Sequence, residues 1–379
     1  MQQENNYDRP FRVLSLDGGG VRGLFTAVLL RGLTVEFAKQ QGLDDRQEYD
    51  LGRQFDLIVG TSTGAILAAA LVVGVPLSKV IALYTEHAKS IFRSPVPESS
   101  VGALLLWIGR HLGRAANSPE PLEQALHDVF GNETLGQLHA RRGIGLCVPA
   151  VDAETLKSWG FKTPHLSRLQ RDVNYRLVDV CMASAAAPLV FPVKEIQRPE
   201  GTGELAAPRV NWFVDGGLWA NNPSVVALTE AFTTAKPDQR IQVVSASTCP
   251  PFKGTTVTRG TANRGLFAWR AGIKVVETAL DAQSYAYDYM AKTLAQHAKQ
   301  PVDYIRLADP EVGAEDLPFL GMDNPSDETL RRLTALAYRA VDKNRSEATT
   351  GSAAMAVLLD VFAGLNPIPS SSARGAPRV

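Results

Sequence analysis

Along this chain, short unbroken apolar runs alternate with stretches in which apolar residues recur every three or four positions. Clusters of Gly, Pro and Ser separate the two kinds. FRVLSL at 11–16 is a run of the first kind, short and rich in β-forming residues, and Asp17-Gly18-Gly19-Gly20 ends it abruptly. From 24 to 37, Leu24, Val28, Leu29, Leu33 and Phe37 keep helical spacing, so the first unit reads as strand, glycine loop, helix. The second unit repeats that order: a strand over 55–59, a turn over 60–64, and a helix over 65–73 apolar enough to be covered on all sides.

Pro76 opens a helix through about 92, SPVPESS at 94–100 is a surface loop, and another helix starts near Pro121. Further strands fall at 143–151, 210–214 and 241–245, with a helix over 222–232 between the last two. The segments 265–297 and 326–343 are helix-compatible, the second with Asp327 and Glu328 in its first turn. This succession argues an α/β fold: a mainly parallel central sheet with helices on both faces. The expected organisation is one domain over 11–343, with a helical insertion around 77–130 and a helical part at 265–343. An extension over 344–379 follows, ending in the apolar-poor PIPSSSARGAPRV, a loose tail. The stretch 56–76 nears the length of a membrane span, but Gly, Thr and Ser interrupt it, so it reads as buried strand, turn and helix.

Composition narrows the function. Thirty-nine Lys and Arg balance 39 Asp and Glu among 379 residues, which removes the positive field of a dedicated nucleic-acid binder, so neither DNA nor RNA is expected as a partner. Cys147, Cys181 and Cys249 are widely spaced and form no metal-ligand pattern, so they read as reduced thiols, with no metal and no cofactor expected. The polar start MQQENN has neither the basic opening nor the apolar run of a secretory signal, and a cytoplasmic location is the expectation.

Gly60-Thr61-Ser62-Thr63-Gly64 matches G-x-S-x-G between a strand and a helix, the context of a nucleophile elbow; the plainer alternative is a Ser/Thr-rich helix cap. The loop 17–23, DGGGVRG, has two readings. As G-x-G-x-x-G it would be a dinucleotide fingerprint, but 42–52 offers no second strand ending in an acid. As an anion cradle, its amides could hold a tetrahedral oxyanion with Arg22 bracing the charge, which a serine nucleophile needs. That serine also needs a base. Chain order would leave only His297 among six histidines, and it falls inside a helix-compatible segment. Asp215, where the strand 210–214 runs into Gly216-Gly217, mirrors Ser62. If both strands lie centrally in one parallel sheet, their ends share an edge and the two can form a Ser/Asp dyad. Read alone, Asp215-Gly216 is only a turn.

DGGGVRG at 17–23, GTSTG at 60–64, ASAAAPLVFP at 183–192 and DGGLWANNP at 215–223 together resemble the patatin-like phospholipases, over roughly 11–245. That resemblance implies a three-layer fold and a serine lipid acyl hydrolase. It makes Ser62 the nucleophile, Asp215 its general base, Gly18, Gly19, Gly20 and Arg22 the oxyanion hole, and Gly60 and Gly64 the frame of the elbow. The wording DGGLWANNPS further resembles the CapV-type phospholipases, effectors of anti-phage CBASS defence. This implies a membrane phospholipid substrate at the inner face of the bacterial inner membrane and a cyclic dinucleotide activator; a homo-oligomer is a separate expectation that no motif carries. The competing readings are a constitutive esterase or acyl-CoA thioesterase and a nucleotide-binding protein using the 18–23 loop. VGALLLWIGRHL at 101–112 is open between a lid lying in the lipid interface and a core helix; Phe267, Trp269, Tyr285, Tyr287 and Tyr289 read as packing.

Overall fold

The computed structural model describes residues 9–97, 101–198, 210–250, 272–349 and 353–368, with a few positions between 257 and 269. Its first half runs β1 (Phe11–Leu16), α1 (Gly23–Gln40), β2 (Leu57–Gly60), α2 (Thr63–Val73), α3 (Leu77–Ile91), α4 (Val101–His111), α5 (Glu120–Phe130) and α6 (Leu135–Arg142). The middle comprises β3 (Gly145–Asp152), β4 (Ser158–Lys162), α7 (Leu177–Ser184), β5 (Lys194–Gln197), β6 (Val210–Asp215), α8 (Gly217–Ala220) and α9 (Ser224–Thr234). Then follow β7 (Ile241–Ala246), α10 (Ile273–His297), β8 (Val302–Arg306), α11 (Asp327–Thr349) and α12 (Ala353–Phe362). The polar start over 1–8, the aromatic Phe267 and the tail 369–379 lie outside the described residues.

The strands form one sheet in the order β5-β6-β3-β2-β1-β7-β8, with β4 pairing beside β3. Side chains alternate across the central strands. Leu14, Leu16, Ile58 and Val244 enter a large core with α1, α2, α3 and α11, whereas Phe11, Val13, Leu57, Val59 and Val243 meet α9 and α10 on the other face. This is the three-layer α/β arrangement. The stretch 56–76 resolves into β2, a turn and the 11-residue α2, which the left-handed Gly74 terminates, and among the described residues no helix is long and apolar enough to cross a membrane.

Two expectations need correcting. β2, β1, β7 and β8 run parallel with β3, but β4 and β6 run against it and β5 pairs antiparallel with β6, so the strand carrying Asp215 is neither central nor parallel to that of Ser62. It nonetheless reaches the same edge. β3 extends past the end of β2, and β6 descends along it so that Asp215 pairs with Ala150 at the level where the elbow begins. Nor does the packed structure stop at 343: α11 continues to Thr349, and α12 buries Val357, Leu358, Val361 and Phe362, the last stacked on Phe37 with ring centroids 4.7 Å apart.

Candidate active site

The elbow follows from crowding. β2 ends so close to α2 that a Cβ on Gly60 would strike the Gly64 carbonyl, and one on Gly64 the Leu16 and Asp17 carbonyls at the end of β1, so neither glycine admits a side chain. Ser62, between them, takes φ 56° and ψ −123°, a conformation costly for an L-residue. The strain lifts its Oγ out of the sheet edge. Two side chains hold the turn in place: Ser184 Oγ accepts from the Ser62 amide at 2.9 Å and donates to the Pro149 carbonyl at 2.6 Å, and Thr61 Oγ1 donates to the Ala220 carbonyl at 2.6 Å.

Ser62 Oγ donates to Asp215 Oδ2 at 2.8 Å. The other carboxylate oxygen, Oδ1, accepts from the Gly217 amide at 2.6 Å, which fixes the rotamer so that Oδ2 faces the serine. Asp215 is buried, and burial pushes its pKa up to about 6, against the opposing pull of the Gly217 and Ser62 hydrogen bonds. A carboxylate with that pKa is ionised at neutral pH yet basic enough to accept a proton from an attacking hydroxyl. His297, the alternative base, lies exposed at the end of α10 with Nδ1 on the Thr293 carbonyl at 2.9 Å, away from the elbow.

The glycine loop lies beside Ser62, but its four expected members divide. Gly19 and Gly20 line the cavity with Ser62, and no backbone acceptor among the described residues takes either amide. Gly20 needs its left-handed φ of 59°, and the Met322 carbonyl occupies the place of a side chain. The Gly18 amide, in contrast, is spent on the Asn221 carbonyl at 2.8 Å, so it cannot also hold an oxyanion. The Arg22 side chain turns into the protein, where burial pulls its pKa below the ordinary guanidinium value and Asp281 and Glu277 oppose that pull. It does not line the cavity. A donor that the motifs do not single out stands opposite: Thr63, the first residue of α2, lines the cavity with an amide that has no acceptor within its helix.

Several positioning residues carry no signal in the sequence. Thr248 Oγ1 donates to the Gly18 carbonyl at 3.1 Å, the Val21 amide donates to Met322 at 2.7 Å, and Arg306 on β8 holds both oxygens of Asp17, directly before the loop. Ser184 lies within the block ASAAAPLVFP, and that block does more than pack. Its Ala186 carbonyl takes the Asp215 amide at 3.0 Å, and residues 187–191 form a wall of the cavity.

Away from the polar end, the cavity is a hydrocarbon slot between Ile66, Leu83, Ile91, Phe92, Leu122 and Phe191. Two leucines of its lining, Leu189 and Leu218, are left in solvent. Leu189 is 53% exposed, and the Ala116 amide reaches its carbonyl from the segment that follows α4. Helix α4 buries Leu104 and exposes Leu105 (51%) and Leu106 (58%), with Leu112 just beyond at 84%; Trp107 is tied to the Ser94 carbonyl at 3.2 Å. It is a surface helix with one anchoring leucine, not a core helix. Among the described residues no cluster of His, Cys, Asp or Glu could hold a metal ion.

Comparison with known proteins gives the family of this chain. The family model "Patatin-like phospholipase" matches residues 14–228. A "cGAMP-activated phospholipase" of Escherichia coli strain TW11681 is 30% identical over 88% of this chain and 90% of its own length. One of the same description from Vibrio cholerae serotype O1 is 30% identical over 88% and 92%. Human GIVD cytosolic phospholipase A2 aligns in structure over 95% of this chain and 61% of its own, at 14% identity and a TM-score of 0.43. With the family model spanning more than half of its length, this chain belongs to the patatin-like phospholipases and is a hydrolase.

Proposed function

We propose that this enzyme releases fatty acids from membrane glycerophospholipids through a Ser62/Asp215 dyad, that a cyclic dinucleotide switches it on, and that it works at the inner face of the bacterial inner membrane. The observation that carries the chemistry is the 2.8 Å hydrogen bond from Ser62 Oγ to Asp215 Oδ2 at the polar end of an apolar slot. As Oγ attacks the ester carbonyl, its proton passes to Oδ2, and the amides of Gly19, Gly20 and Thr63 face the developing oxyanion. Collapse of the tetrahedral intermediate breaks the ester C–O bond. The leaving alkoxide takes the proton from Asp215, and the acyl group stays on Ser62. Water then gives a proton to Asp215 as it attacks the acyl-enzyme; the second intermediate breaks the bond from Ser62 Oγ to the acyl carbon, frees the fatty acid and returns that proton from Asp215 to Oγ.

The hydrocarbon lining and its exposed leucines favour a long acyl chain drawn from a bilayer over a small soluble ester. Two relatives described as cGAMP-activated support the switch. The three cysteines, all free and buried, suit a reducing compartment. The test is fatty-acid release from vesicles of bacterial phospholipids, with and without cGAMP, cyclic di-GMP and cyclic di-AMP, with Ser62→Ala as the blank. Stimulation by one nucleotide, absent from the blank, is the expected result. High basal activity untouched by all three would make the enzyme constitutive, and hydrolysis confined to short soluble esters would remove the membrane substrate.

A further inference from the structure

A second cavity, of about 480 Å³, opens on the face of the sheet away from the acyl slot, between β4, the segment after it, and helices α8 to α10. Its chemistry is unlike that of the first. Lys162, Arg168 and Arg171 line it against only Asp172 and Glu230, and two aromatic side chains, Trp219 and Tyr287, form part of its wall. The cations are held in different ways. Arg171 lies over the Trp159 ring at 3.8 Å and grips both oxygens of Asp172, at 2.7 and 2.8 Å, which fixes its guanidinium plane. Lys162 reaches Glu230 at 2.5 Å. Arg168 is exposed and, among the described residues, has no acidic partner. Preorganised arginine beside an unpaired arginine suits a doubly anionic ligand, and flat aromatic walls suit heterocyclic bases.

The wall of this cavity is also part of the active site. Trp219 belongs to α8, the single turn that follows Asp215-Gly216, and its Nε1 donates to the carbonyl of Ala150, the residue that pairs with Asp215 across the sheet. On one side of Trp219, Leu218 and Gly217 line the acyl slot, and the Gly217 amide holds Asp215 Oδ1. On the other side, the Ala220 carbonyl takes Thr61 of the elbow and the Asn221 carbonyl takes the Gly18 amide. Helix α10 clasps the same turn: Gln283 donates to the Trp219 carbonyl at 3.2 Å, and Asn221 donates to Ser284 Oγ at 3.0 Å. One turn of chain therefore touches the base, the elbow, the glycine loop and the second cavity.

We propose that this second cavity is the activator site. It takes a cyclic dinucleotide, with the phosphodiester charges against Arg168, Arg171 and Lys162 and the base faces against Trp219 and Tyr287, and it acts on catalysis by setting α8 against α10. The assignment rests on the activation put forward above. A ligand that packs better on one placement of Trp219 shifts the population of that placement, and α8 transmits the shift to Asp215, Thr61 and Gly18.

The test measures binding of cGAMP, cyclic di-GMP and cyclic di-AMP by calorimetry to the full chain in a Ser62→Ala background, so that binding is read without turnover. Arg168→Glu, Trp219→Ala and, as a remote charge control, Lys79→Glu are added singly. The expected result is that one nucleotide binds, that Arg168→Glu and Trp219→Ala each weaken it at least tenfold, and that Lys79→Glu does not. Because Arg168 is a surface residue, its variant keeps the test sound if Trp219→Ala fails to fold. Binding unchanged by Arg168→Glu would overturn this site while leaving the activation in place. Binding of none of the three would remove the activation, and the site with it.

Discussion

The two halves of the dyad are built by different means. Ser62 is placed by five consecutive residues: a strand end, two glycines and a left-handed backbone. Its geometry is local strain. Asp215 arrives on an antiparallel strand from the opposite direction, with the remote Ala186 carbonyl on its amide and the Gly217 amide, two residues on, holding its carboxylate. Its reactivity comes from burial. The nucleophile should therefore fail when the backbone is disturbed, and the base when protonation is disturbed.

The largest effect should come from the base. Asp215→Asn removes the proton acceptor, and fatty-acid release should fall by roughly 10²–10⁴-fold. The same change should make the protein more stable. A buried carboxyl whose pKa rises from 3.8 to about 6 on folding favours the folded state while protonated, and that contribution is lost as pH rises from about 4 through 6. Above pH 6, Asp215→Asn should thus gain about 1–3 kcal/mol in denaturant unfolding, since each tenfold change in proton affinity corresponds to about 1.4 kcal/mol. A less stable and inactive variant would mean that Asp215 holds structure instead of chemistry.

Next in size is Gly64→Ala, on the nucleophile's side. The added methyl meets the Leu16 and Asp17 carbonyls, which cannot move without shifting β1, and a loss of about 2–4 kcal/mol is expected in the same unfolding measurement. Wild-type stability after this change would show that the elbow is looser than its geometry implies.

The pH profile sharpens the contrast. The wild-type kcat/KM should climb about tenfold per pH unit below 6 and level off above it, as Asp215 ionises. A plateau reaching unchanged to pH 4.5 would place the essential base elsewhere. Ser184→Ala is the mildest case. It leaves the Ser62 amide without its acceptor, and kcat should drop about tenfold with KM little changed. A change confined to KM would assign Ser184 to substrate binding.

How much of this could be read from the chain follows the same division. β1, β2, β3 and β7 are buried at every position, so continuous apolar runs announced them. β5, with sequence KEIQ, and the partly exposed SWGFK of β4 lie in the antiparallel margin and carry no such run. Glycine spacing and strand context made the elbow legible, because the crowding there is local. The direction of β6 was not legible, since hydrophobic pattern records which face is buried and not which way a strand runs. Nor could the loss of Gly18 to Asn221, or the inward turn of Arg22, be seen before their partners came together.

The most direct test of the dyad reads the serine itself. A long-chain fluorophosphonate should label the wild-type protein on Ser62, located by peptide mass spectrometry, and the rate of labelling should fall at least about 10²-fold in Asp215→Asn. An adduct on another residue, or labelling of Asp215→Asn at the wild-type rate, would contradict a serine activated by that carboxylate.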